Sequence, residues 1–156
     1  MTERLRVLFI CTGNSARSQM GEAILRRLSH GQVEVFSAVS EPRPEIYPLA
    51  RRAIRDLFGL EMAGQHPKPF DPFLGERFDY VISVCDQAAE SCPVFPGAPE
   101  RIRWSFEDPA KAEGTEDEKR RAFERTAKDL MGRIRIWMTL PIISSRIGAA
   151  PVGHAR

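Results

Sequence analysis

The chain has 156 residues, 42% of them hydrophobic and 28% charged, with a formal net charge of +2 at pH 7. That length and balance suit one globular domain with its own core, and so small a charge gives no electrostatic basis for a nucleic-acid partner. No apolar stretch approaches the roughly 20 residues needed to cross a bilayer, and the start, MTERLRVLFICTG, carries too short an apolar run for a signal peptide, so no membrane partner is expected. Three cysteines, an odd number with no export signal, point to a reducing cytoplasm and to working thiols.

In chain order, β-branched and aromatic runs predict strands over Arg6 to Ile10, Val33 to Ser37, Tyr80 to Cys85 and Arg101 to Trp104. Helical patterns lie between and after them. Ala16 to Ser29 places Met20, Ile24 and Leu28 on one face, and Glu45 to Phe58 does the same for Ile46, Leu49, Ala53 and Leu57. The longest helix, Thr115 to Met138, opens with a capping-box pattern, Thr115 as N-cap and Glu118 at N3. Its apolar stripe is Phe123, Ala127, Leu130, Ile134 and Trp137. Strands alternating with helices imply a parallel sheet covered on both faces, whose strand C-terminal ends share one ligand-binding edge. The domain is expected to occupy residues 1–138. Pro141 is expected to end any helix, leaving 139–156 as a frayed tail or an added packing or dimer segment.

The stretch CTGNSARS, residues 11–18, falls between the first strand and the first helix. A backbone curling there turns its N–H groups inward as an anion nest, reinforced by the helix N-terminus. Gly13, Ser15 and Ala16 are small enough for an oxyanion to approach the backbone, and Arg17 adds a planar fork. The same positive surroundings favour the thiolate of Cys11, to which Ser18 is placed to donate. Cys11 is therefore expected to be a nucleophile at the base of an oxyanion cup formed by Thr12, Gly13, Asn14, Ser15, Ala16, Arg17 and Ser18.

Two further cysteines, Cys85 and Cys92, end and follow the DYVISVC strand. Their spacing is not that of a zinc site, and His30, His66 and His154 are scattered singly, so neither a metal nor a cofactor is expected. In WSFEDPA, after the last strand, Glu107 and Asp108 are both candidate acids.

The stretches CTGNSARSQM, VCDQAAESCP and WSFEDPAKAEGTEDEK make the chain similar, from about Leu5 to Trp137, to the thioredoxin-coupled arsenate reductases of the low-molecular-weight tyrosine phosphatase fold. The resemblance implies a three-layer α/β sandwich around a four-stranded parallel sheet. It also implies a relay in which Cys11 attacks arsenate, Arg17 and the loop hold its oxygens, and Asp108 rather than Glu107 protonates the departing hydroxyl. Cys85 then attacks Cys11 with release of arsenite, and Cys92 attacks Cys85. The segment DQAAES between these two cysteines, which can form about two helical turns, is expected to loosen for that last step. The implied partners are arsenate or a phosphate-like oxyanion and a thiol reductant, either thioredoxin or a glutaredoxin- or mycothiol-type system.

The sequence departs from the family in places. Ala16 stands where many relatives carry another cysteine, and Val39 replaces a glycine. Ala110 stands where the phosphatases carry an aromatic residue. Some relatives hold potassium beside the loop. Asn14, Glu22 and Ser37 match three of its ligands, but Lys68 falls where an aspartate would be, and it is read either as an ammonium that substitutes for the ion or as a solvated loop residue. The competing functions are a small-fold tyrosine phosphatase, opposed by the extra thiols and by Ala110, and a non-catalytic oxyanion sensor, which has no need of the acid.

Overall fold

In the computed structural model, which describes residues 4–11, 16–85 and 92–147, the first strand, β1 (Leu5–Cys11), lies inside the sheet. Leu5, Val7, Leu8, Phe9, Ile10 and Cys11 are all buried. A strand apolar at successive positions can only be satisfied with both faces covered. It pairs in parallel with β2 (Val33–Val39) on one side and β3 (Tyr80–Ser83) on the other, and β3 pairs in parallel with β4 (Glu100–Arg103). The order is β2-β1-β3-β4, the four-stranded parallel sheet expected. β4 closes the edge with Glu100, Arg101 and Arg103 exposed, charges that discourage pairing with another sheet.

Helix α1 (Ala16–Leu28) packs on β1 and β2. It comes close because Gly21 has no side chain: a Cβ there would lie 3.2 Å from the Phe9 ring. Helix α2 (Pro48–Phe58) begins on a proline, which suits the first helical position, and closes at Gly59, whose φ of 67° is the left-handed conformation of a C-terminal cap. The proline explains why this helix starts later than the Glu45 expected, although Ile46 is still buried. Helix α3 (Glu116–Met138) carries the expected capping box, with Glu118 N–H donating to Thr115 Oγ1 at 3.1 Å and Thr115 N–H donating to Glu118 Oε1 at 2.7 Å. Its stripe Phe123, Ala127, Leu130, Ile134 and Trp137 is buried, and it packs on α1 and α2.

Strand alternation sorts the core into two sides. Phe9 meets α1 and Trp104, and Tyr80, on the same side, meets Trp137 of α3 edge-on at 5.4 Å. The other side carries Leu8, Ile10 and Phe36. Phe73 and Phe78 close over Phe36, and Phe95 meets Phe78 edge-on at 5.5 Å.

Two further expectations change. β3 is shorter than Tyr80 to Cys85. Val84 N–H still donates to Ile10 O at 3.0 Å, but the chain bends out of the sheet there. Pro141 does not end helical structure but starts a helix, α4 (Pro141–Ile147), because a proline has no N–H to lose at a first turn. Ile143 is buried in the common core, so the chain is packed through this helix rather than frayed from residue 139. Among the described residues, no helix is long and apolar enough to cross a membrane.

Candidate active site

Cys11 is the last residue of β1 and is fully buried, and its alternation with Phe9 turns it toward the α1 side of the sheet. Ala16, Arg17 and Ser18 form the first turn of α1, all buried, at the positive end of the helix. The remaining residues expected in the cup, Thr12, Gly13, Asn14 and Ser15, lie outside the described residues, as does the segment 86–91 between Cys85 and Cys92.

Arg17 ties this turn to the loop after β4. Its Nη1 donates to the Phe106 carbonyl at 2.7 Å, and its Nη2 lies 3.9 Å from Asp108 Oδ2. Asp108 is itself fixed. It caps the short 3-10 turn Pro109–Lys111, with its Oδ1 accepting from Ala110 N–H at 2.9 Å. One carboxylate oxygen thus holds the turn, and the other faces the guanidinium. Arg17 and Asp108, with side chains only 6% and 13% exposed, sit where an ion pair is shielded from solvent and positions are held tightly. Glu107, the other candidate acid, lines the same cleft.

Two buried donors in this turn have no acceptor, Arg17 Nε and Ser18 Oγ. Ser18 does not donate to the Cys11 sulfur, contrary to the sequence expectation. Buried donors without partners are rare, and two on adjacent residues are available to an acceptor that enters the site. Both flank the Cys11 loop.

The cleft in front of them has a volume of about 1130 Å³, and Arg17, Cys85, Asp108, Tyr47, Phe106 and Arg125 are among its walls. Cys85, just past β3, is buried at this edge. Cys92 is elsewhere. It is half-buried and lines a separate cavity of about 240 Å³ with Ile10, Val81, Ser83, Arg101 and Arg103. Ile10, Val81 and Ser83 belong to the sheet face turned away from α1. In a parallel sheet, cysteines that end or follow strands would be expected to share one edge. The structure brings Cys85 to the Arg17–Asp108 cleft and puts Cys92 around the edge of the sheet.

The acidic pocket beside the cup is occupied by the protein itself. Glu22 is buried, and its Oε1 accepts from Ser37 Oγ at 2.6 Å while its Oε2 accepts from Arg26 Nη2 at 2.5 Å. The same Arg26 nitrogen also donates to the Val35 carbonyl at 2.8 Å. Lys68 Nζ turns instead toward the His66 carbonyl, at 3.4 Å. Arg26, not Lys68, supplies the positive charge. A monovalent cation does not fit a carboxylate already satisfied in this way. Sequence reasoning missed Arg26, although its spacing of four from Glu22 was a usable signal. Among the described residues, no group of three or more His, Cys, Asp and Glu side chains converges to hold a metal ion.

Residues 6–139 match the family model for low molecular weight phosphotyrosine protein phosphatase. The chain belongs to that family. Among its relatives is an arsenate reductase of Halalkalibacterium halodurans, 37% identical over 83% of this chain and 91% of the relative. A solved arsenate reductase in the reduced state superposes with a TM-score of 0.65 at 26% identity, covering 85% of this chain and 95% of the other. A thioredoxin-dependent arsenate reductase of Corynebacterium glutamicum superposes with a TM-score of 0.60 at 28% identity, covering 87% of this chain and 64% of the other.

Proposed function

We propose that this protein reduces arsenate to arsenite, with residues 1–138 as its catalytic domain and Cys11, Cys85 and Cys92 as a thiol relay. The observation that carries the reading is the second thiol: Cys85 lines the same cleft as Arg17 and Asp108. Ester hydrolysis needs a nucleophile, an arginine and an acid; it has no use for another sulfur. Curated relatives that bear the name arsenate reductase support the same substrate.

In the proposed mechanism, arsenate enters the cup with its oxygens on the α1 N-terminus, the Arg17 fork and Ser18. Arg17 Nε and Ser18 Oγ gain the acceptors they lack. The Cys11 thiolate attacks arsenic, and Asp108 protonates the hydroxyl that leaves as water. Asp108 suits this task because its anchored Oδ1 fixes the direction of Oδ2. Cys85 then attacks the Cys11 sulfur. The S–As bond breaks, its electron pair stays on arsenic, and arsenite leaves while the two thiols become a Cys11–Cys85 disulfide. Cys92 attacks Cys85, Cys11 departs as thiolate, and the Cys85–Cys92 disulfide is reduced by an external dithiol, for which the thioredoxin-dependent relative makes thioredoxin the first candidate.

Ala110 supports a small inorganic substrate. It is partly buried and spends its N–H on Asp108, and it offers no ring to a phenyl ester. The direct test is arsenate-dependent NADPH oxidation with thioredoxin and thioredoxin reductase, run beside para-nitrophenyl phosphate hydrolysis. Robust hydrolysis with no arsenate-dependent oxidation, with glutaredoxin- and mycothiol-type reductants also failing, would return the chain to the phosphatases.

A further inference from the structure

We propose that Arg101 is the positioning residue for the resolving thiol: it holds the Cys92 sulfur on the β4 edge, oriented for attack on Cys85. The inference rests on the relay reading and names a participant that the reading does not contain.

Arg101 grips this corner with both arms of its guanidinium. Nη1 donates to Cys92 Sγ at 2.8 Å, and Nη2 donates to the Pro93 carbonyl at 3.0 Å. The Cys92 S–H donates to that same carbonyl at 3.4 Å. The sulfur is thus held from two sides, by a guanidinium donor and by a carbonyl that the same guanidinium also binds. The other residues on the cavity add to these surroundings. Arg103 adds a second positive charge from β4, and Ile10, Val81, Ser83 and Ile102 are neutral. No carboxylate lines the cavity among the described residues.

The register of β4 sets the face from which Arg101 reaches the sulfur. Arg101 pairs with Val81 and Arg103 with Ser83, so both arginines stand on the sheet face where Cys92 sits. The fork geometry matters as much as the charge. A bidentate donor fixes the sulfur relative to its own backbone, whereas a lysine ammonium would supply charge without orientation. In the exchange step Cys92 loses its proton to solvent, its sulfur bonds to Cys85, the Cys11–Cys85 bond breaks, and Cys11 leaves as thiolate.

The test uses the full chain with Arg101→Met and Arg101→Lys. In the reduced protein without arsenate, the rate of Cys92 alkylation by iodoacetamide at neutral pH is followed by peptide mass spectrometry. Arg101→Met is expected to slow alkylation by about tenfold, and Arg101→Lys to restore part of the rate. After a single turnover on arsenate, the Cys11–Cys85 disulfide is expected to persist about tenfold longer in Arg101→Met. An unchanged alkylation rate, or an intermediate that decays as fast as in the unaltered protein or faster, overturns the role of Arg101. The relay itself is checked separately with Cys92→Ser. If that variant traps no Cys11–Cys85 disulfide, the relay fails whatever Arg101 does. Thermal melting of both Arg101 variants separates loss of fold from loss of reactivity, and Arg101→Lys keeps the alkylation test available if Arg101→Met does not fold.

Discussion

Arg17 and Asp108 face each other 3.9 Å apart, guanidinium Nη2 to carboxylate Oδ2, across the join between the first turn of α1 and the loop that follows β4. The two residues are far apart in the chain. The spacing is wider than a direct hydrogen bond, so neither group is consumed by the other. Arg17 spends Nη1 on the Phe106 carbonyl, and Asp108 spends Oδ1 on the Ala110 amide.

Asp108→Asn should therefore separate chemistry from structure. The amide oxygen can still accept from Ala110, so the turn should hold and thermal stability should fall by no more than about 1 kcal/mol. Proton donation is lost. Phosphate-ester hydrolysis and single-turnover arsenate reduction should each drop by about 10²- to 10⁴-fold. A variant that retains full rate would move the acid to Glu107.

Cys11→Ser should abolish arsenate reduction and ester hydrolysis together, since a serine hydroxyl is not an anion near neutral pH. Steady-state rates with both substrates check this. Activity surviving with either one would remove Cys11 from the role of nucleophile.

The other two thiols should behave differently. Cys85→Ser and Cys92→Ser are expected to lose multiple turnover on arsenate yet keep slow ester hydrolysis, because the cup and the acid are intact. Peptide mapping after one turnover should find a Cys11–Cys85 disulfide accumulated in Cys92→Ser and no such bond in Cys85→Ser.

Potassium should matter little. Glu22 already has Arg26 and Ser37 as partners, so replacing potassium by another monovalent ion at constant ionic strength should leave melting temperature and rate nearly unchanged. Arg26→Met, by contrast, strands a buried carboxylate. Because the Arg26 side chain is 46% exposed, the expected loss of stability is about 1–3 kcal/mol, below that of a fully buried pair. A saturable potassium effect on the unaltered protein would contradict the assignment.

The sheet and the helices were legible because their signals are local and redundant. β1 is apolar at nearly every position, α3 has a capping box and an unbroken stripe, and both appear as read. Two of the misread boundaries are places where one residue serves two purposes. Pro141 stops one helix and starts another, and Cys85 continues an apolar run while the chain leaves the sheet. In the site, Cys11 and Arg17 carry a type and spacing from which a role can be expected, whereas Asp108 is preferred to Glu107 only on the family resemblance. Arg101 carries no such signal. It meets Cys92 only because the chain returns along β4 to face the sulfur. The Glu22 pocket shows the same limit: ligand types were readable, but which of several basic residues reaches the carboxylate depends on packing between α1 and β2.

The bare backbone at Gly21 has a consequence for Arg17, one helical turn earlier. Because α1 behaves as a stiff rod, its stand-off from β1 is set where the two lie closest, at the Phe9 ring. A single methyl group there would meet the ring at 3.2 Å and push by a few tenths of an ångström. The rod would carry that displacement to its tip, about 6 Å away at 1.5 Å per residue. The aim of the guanidinium is in this sense a tolerance machined into the helix from behind, by an atom left out.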